Sequence, residues 1–199
     1  MGEQQAAESV YECLLEFGQQ RTNPVLSVIG DEANFQSGRH YPEPYLTFAG
    51  QGVRAYYHSH EHPKQEAGEH GHFHLFIRIE ENSWTHLAAL SMDQQGQGKR
   101  WLSTNRWVTD ECWQSATELQ ALSLPKLQTT TLSLTERWLY AMLFLYRKEL
   151  TELWRERDHT LSGIKAHSAD TDILENREHY ILAGHEINLL NKMQQVLQL

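Results

Sequence analysis

The segment Gly71-His72-Phe73-His74-Leu75-Phe76-Ile77-Arg78 alternates imidazoles with large apolar side chains. Successive side chains of a strand point to opposite faces, so this period-two pattern demands an extended chain buried on at least one side. Phe73, Leu75 and Ile77 then take a core face, while His70, His72, His74, Phe76 and Arg78 share the other. The run Tyr56-Tyr57-His58-Ser59-His60 reads the same way, with Tyr56, His58 and His60 on one face. Six of the twelve histidines fall between His58 and His74, where an even scatter would place about one. One face of this sheet is therefore core, and the other is a surface or pocket lined by histidine.

Histidine is the commonest protein metal ligand and also titrates near neutral pH. If the two strands pair antiparallel with His60 opposite His72, then His58 falls opposite His74. Paired Cβ atoms lie about 5 Å apart, close enough for imidazoles to share one ion at bonds of about 2.0–2.2 Å. His58, His60, His72 and His74 form the expected ligand set, with His70 and His86 as further ligands. Glu69 and Glu61 flank the set as base or as orienting partners. Imidazole ligation suits zinc or iron and admits copper. The set points to a metal-dependent enzyme acting on a small molecule; the other readings are a non-catalytic metal- or haem-binding protein for sensing, storage or delivery, a metal-free interaction module with a polar core of mutually bonded histidines, and a metal-free pocket with a histidine base or pH switch. The spacing fails the cupin pattern, because no glutamate follows His58-x-His60 at the required offset. The loop His62 to Gly68 reads as a solvated connection.

Arg78 continues the histidine face and, with Tyr56, Asn105 and Arg106, is a candidate for holding a small-molecule substrate. Arg54 and Arg100 carry a weaker claim as charges beside core aromatics. Cys13 and Cys112 read as buried small hydrophobes. Phosphate-loop, dinucleotide and Gly-x-Ser-x-Gly motifs are absent from the sequence.

The net charge of −9 with no basic run argues against a sequence-independent grip on nucleic acid. The longest apolar run, Trp138 to Tyr146, is too short to span a bilayer, and two distant cysteines imply no disulfide framework. A cytoplasmic protein is expected. At 199 residues the chain suits a single domain, 1–199. An amphipathic helix covers about 3–18, with short extended pieces at Val25 to Ile29. A β-rich part covers about 41–108, with strands at Leu46 to Ala49, Val53 to His60, His72 to Glu80, Trp84 to Met92 and Trp101 to Val108. The helical part, about 109–199, comprises a helix capped by Thr109 or Asp110, a central helix from Ser133 or Thr135 to Arg157, and a last helix from Thr171 to Gln198. The stripe on that last helix makes a homodimer plausible. Its Glu175, Glu178, His179, His185 and Glu186 read as a solvated face. The fold class is α+β, a small antiparallel sheet of about four to six strands packed against helices.

The segments Tyr56-Tyr57-His58-Ser59-His60, Glu69-His70-Gly71-His72-Phe73-His74-Leu75-Phe76, Asn105-Arg106-Trp107-Val108-Thr109 and Arg137-Trp138-Leu139 together resemble a family of bacterial proteins known as a domain of unknown function. The likeness runs from about Tyr41 to the last helix. It implies no activity and no catalytic residues, but it keeps Asn105, Arg106 and Thr109 as secondary pocket candidates.

Overall fold

The computed structural model describes residues 1–60, 68–167 and 172–198. Its frame is a six-stranded antiparallel sheet in which each strand lies beside the next in sequence. The strands are β1 (Tyr41–Leu46), β2 (Val53–His58), β3 (Gly71–Glu80), β4 (Ser83–Met92), β5 (Gly98–Thr104) and β6 (Ile181–Glu186). Helices α1 (Glu3–Gln19) and α2 (Leu26–Ile29) precede the sheet. Between β5 and β6 come α3 (Arg106–Thr109), α4 (Ala116–Ala121), α5 (Leu134–Leu145) and α6 (Arg147–His167), and α7 (Leu189–Leu197) follows β6. The class is α+β, with most of the helix in the second half.

The apolar face of the sheet sets the layering. Phe73, Leu75, Leu90 and Trp101 are fully buried with Trp138, Leu139 and Met142 of α5 and Leu153 and Trp154 of α6. The Trp154 indole donates to the Leu87 carbonyl at 2.7 Å, so α6 is bonded to β4 as well as packed near it. Helix α1 lays Ala6, Val10, Cys13 and Phe17 against this core and packs on α5. Helix α5 opens with a capping box: the Ser133 hydroxyl accepts from the Glu136 backbone, and Glu136 Oε2 accepts from the Ser133 backbone N–H at 2.9 Å. Glu136 Oε1 also accepts from the Phe48 backbone N–H at 2.7 Å, which ties the turn before β2 to the helix layer.

Several boundaries differ from those expected. The first strand is Tyr41–Leu46, and Phe48–Gly50 is a 3₁₀ turn. Val25 to Ile29 is helical rather than extended. β5 stops at Thr104 because the Asn105 side chain caps α3, accepting from the Arg106 N–H at 2.9 Å. Ser115, not Thr109 or Asp110, caps the next helix. The central helix breaks at Tyr146, and its second half continues to His167. The largest correction is the last helix, which is a strand and a separate short helix capped by Asn188. Its supposed stripe splits accordingly: Ala183 joins the core, whereas Leu190 is 65% exposed. Cys112 is exposed rather than buried.

Gly71 opens β3 where another backbone passes closely. A Cβ added there would meet the His58 carbonyl oxygen at 2.5 Å and the Tyr57 hydroxyl at 2.7 Å. Relief requires β2 and β3 to part at the histidines, so Gly71→Ala is expected to cost about 1–3 kcal/mol in urea unfolding. An unchanged midpoint would contradict this packing.

Candidate metal centre

The β2–β3 register brings the histidines together, but two residues from where the loop argument put them. His58 pairs with His72, and Tyr56 with His74. A slip of two keeps every side chain on its face, so the segregation of histidine from core survives. On the next strand Ser91 opposes His72, and Ala89 opposes His74. A register shift after Leu75 then places His86 opposite Phe76, on the histidine face.

Three Nε2 atoms converge. His58 and His72 Nε2 lie 2.9 Å apart, and His74 Nε2 lies 3.1 Å from His58 Nε2. Ligand nitrogens of these three residues all fall within 4.8 Å of one another. Nitrogens bound to one ion at about 2.1 Å would stand about 3.0 Å apart at a right angle and about 3.4 Å apart at the tetrahedral angle that zinc prefers. All three rings are buried, His74 completely.

The outer nitrogens fix the protons. His72 Nδ1 meets Glu69 Oε1 at 3.0 Å, and the Ser91 hydroxyl donates to Glu69 Oε2 at 2.6 Å. Burial alone would push the Glu69 carboxyl up. The hydrogen bonds from His72 and Ser91, with Arg100 nearby, outweigh it and hold Glu69 below the usual carboxylate range. An ionised carboxylate only accepts, so the contact with Glu69 places a proton on His72 Nδ1, and in the neutral ring the free lone pair is then on Nε2. His74 Nδ1 meets His86 Nε2 at 3.0 Å, and His86 hydrogen-bonds the Ala88 backbone. His74 Nδ1 and His86 Nε2 thus share one proton, and where His74 donates it, His74 Nε2 is left as a lone pair. His58 can place a single proton between the Nε2 atoms of His72 and His74.

A second proton is strongly disfavoured. Burial, then the neighbouring His72, His60 and His40, lowers His58 to about 2. Burial, then Arg157 and His72, lowers His86 to about 3. His74 is held well below the ordinary histidine value by complete burial, then by His72, His86 and His58. These residues bring three imidazole nitrogens to one buried point, a donor set that could hold a divalent transition metal.

The remaining expected site residues are distributed around or away from this point. His60 stands beside the cluster, its ring 4.6 Å from that of His58, and its Nε2 hydrogen-bonds the Tyr180 hydroxyl. His86 supports His74 from behind instead of joining the triad. His70 precedes β3 and escapes the alternation: its ring bonds the Tyr57 hydroxyl at 2.7 Å and Glu32 at 2.8 Å. Tyr56 closes one side of the cluster, 5.1 Å from the His74 ring and stacked on His40 at 3.9 Å. Arg78 is exposed at the far end of β3, near Gly52. Asn105 caps α3 and donates to the Ile173 carbonyl at 2.9 Å, and Arg106 pairs with Glu175 at 2.6 Å; both hold the chain that leads into β6. Glu61 and most of the His62 to Gly68 loop lie outside the described residues. Tyr180, Ser91 and Thr104 were not singled out from sequence. The Asn188 cap and Gly184 within a supposed helix were the signals that a strand begins after Tyr180.

Residues 4–187 match the family model described as a domain of unknown function, DUF6969. The chain belongs to the DUF6969 family. Comparison with curated proteins and with solved structures gave no match. What can be said of chemistry in this DUF6969 chain comes from its side chains.

The buried neutral histidines give a pH test. Unfolded histidine protonates near 6.5, while folded His58 and His86 resist until about 2 and 3. As pH falls below about 6.5 the unfolded chain therefore binds protons that the folded one refuses, and stability drops by up to about 1.4 kcal/mol per pH unit per histidine. Metal-free protein should lose thermal stability steadily from pH 7 to pH 5, and a flat profile would contradict buried neutral rings.

Proposed function

We propose that this protein is a metal-dependent enzyme acting on a small molecule, with one zinc or iron ion held by His58, His72 and His74. The observation that carries the reading is the meeting of three buried ligand nitrogens, with His58 Nε2 at 2.9 and 3.1 Å from those of His72 and His74. Without an ion, His58 has one proton to share between two acceptors, whereas an ion would engage all three nitrogens at once. Three histidine ligands with a further coordination position open is the pattern of catalytic sites. Such an ion would polarise a bound substrate or activate water or oxygen.

Each surrounding residue has a definite part. Glu69 orients His72 and supplies a negative charge one ring away, as partners of metal-binding histidines commonly do. It is a positioning residue, since His72 and Ser91 occupy its oxygens. His86 orients His74. His60 and Tyr180, hydrogen-bonded to each other at the rim, are placed to pass a proton to or from a reacting group. Burial of the triad favours a resident ion over one carried for delivery, which would need ready exchange.

Protein purified without a histidine tag should contain close to one equivalent of zinc or iron by elemental analysis. The His72→Ala/His74→Ala variant should lose it with the fold retained by circular dichroism. Glu69→Gln should weaken metal binding about 10–100-fold. Folded protein that is metal-free and takes up neither added metal would defeat the proposal and leave a polar histidine pocket.

A further inference from the structure

The triad is closed on the Tyr56 side, but a small cavity lies on the opposite flank. It is lined by His60, Glu69, His72, Arg100, Thr104 and Tyr180 among others, with a volume of about 10 Å³. That is the space of a single water molecule. The sheet places these groups directly: Arg100 of β5 opposes Ser91, which opposes His72, and the alternation of β5 carries Thr104 onto the same face. A register shift between Ser103 and Thr104 sets Thr104 opposite Ile181, one residue past Tyr180.

Thr104 is the telling residue. It is 2% exposed, and its Oγ1 is buried without a hydrogen-bond partner among the described residues. A buried hydroxyl is ordinarily satisfied, and one aimed into a polar cavity marks the place of a missing oxygen or anion. Charge points the same way. Three neutral imidazoles leave a dication uncompensated, and Glu69 offsets only one of its two charges, so an anionic further ligand is favoured in so buried a site.

We infer that this cavity receives the exchangeable ligand of the metal centre, and that the ligand is no larger than one or two heavy atoms: water or hydroxide, or a comparably small anion. Thr104 donates to it, and Tyr180 and His60 complete the wall. The inference rests on the three-histidine centre proposed above. It adds that the site is selective by size and that Thr104 is a ligand-binding residue.

The test uses metal-free protein reconstituted with Co²⁺, whose visible bands report coordination without any assay of activity. Cyanide, of two heavy atoms, should perturb the bands saturably, while acetate at a hundredfold higher concentration should leave them unchanged. Thr104→Val should weaken cyanide binding about tenfold with Co²⁺ affinity unchanged, and Thr104→Ser should restore it. Absence of Co²⁺ bands in the wild-type protein would overturn the metal centre and this ligand site with it. Bands that appear but respond to both anions alike, or to neither, would overturn the size-selective site alone. A cyanide affinity unaltered in Thr104→Val would remove Thr104 from it.

Discussion

Proton arithmetic governs this structure. Two of the three converging rings have their other nitrogen engaged from behind, His72 by Glu69 and His74 by His86. The third ring, His58, can offer one proton to both. Histidine clusters that serve only as polar core share protons so that each donor finds an acceptor. Here the outer partners engage the far nitrogens of two rings, and the inner nitrogens share what His58 can donate. A cation at this point would engage all three nitrogens at once.

The sheet exists in a form that makes this meeting of nitrogens possible. Its apolar face is anchored by α5, α6 and the tryptophans, and that anchorage holds β2, β3 and β4 in fixed register while the opposite face carries imidazoles. Gly71 allows β2 and β3 to approach where the histidines begin. The register shift after Leu75 turns His86 toward His74. β6 and the chain before it, held by Asn105 and Arg106, complete the wall with Tyr180. Residues that looked like substrate contacts thus act through the backbone they position.

Much of this was legible in the sequence because strands enforce a strict two-residue period. The alternation of Phe73, Leu75 and Ile77 with His72 and His74 identified both faces, and of the four histidines expected to gather, His58, His72 and His74 meet. The register was not legible, since a loop of that length leaves several pairings of like parity open. A slip of two exchanged His60 for a closer meeting of His58 with His72 and His74. The limits of alternation explain His70, which lies one residue outside β3 and turns toward Tyr57 and Glu32. β6 was hidden because Tyr180, Ala183, Ile187 and Leu190 also satisfy a helical stripe. Tertiary pairing with β5 decides for the strand, and Gly184 and the Asn188 cap are the local hints of it.

X-ray absorption at the metal edge tests the central claim most directly, using protein loaded with a single equivalent of zinc. The account expects a first shell containing three imidazole nitrogens at about 2.0–2.1 Å, with the multiple-scattering signature of the rings. It also expects the signature to fall to a single imidazole in the His72→Ala/His74→Ala variant, or the metal to be lost altogether. A shell made only of carboxylate and water oxygens, or one unaltered in that variant, would contradict it.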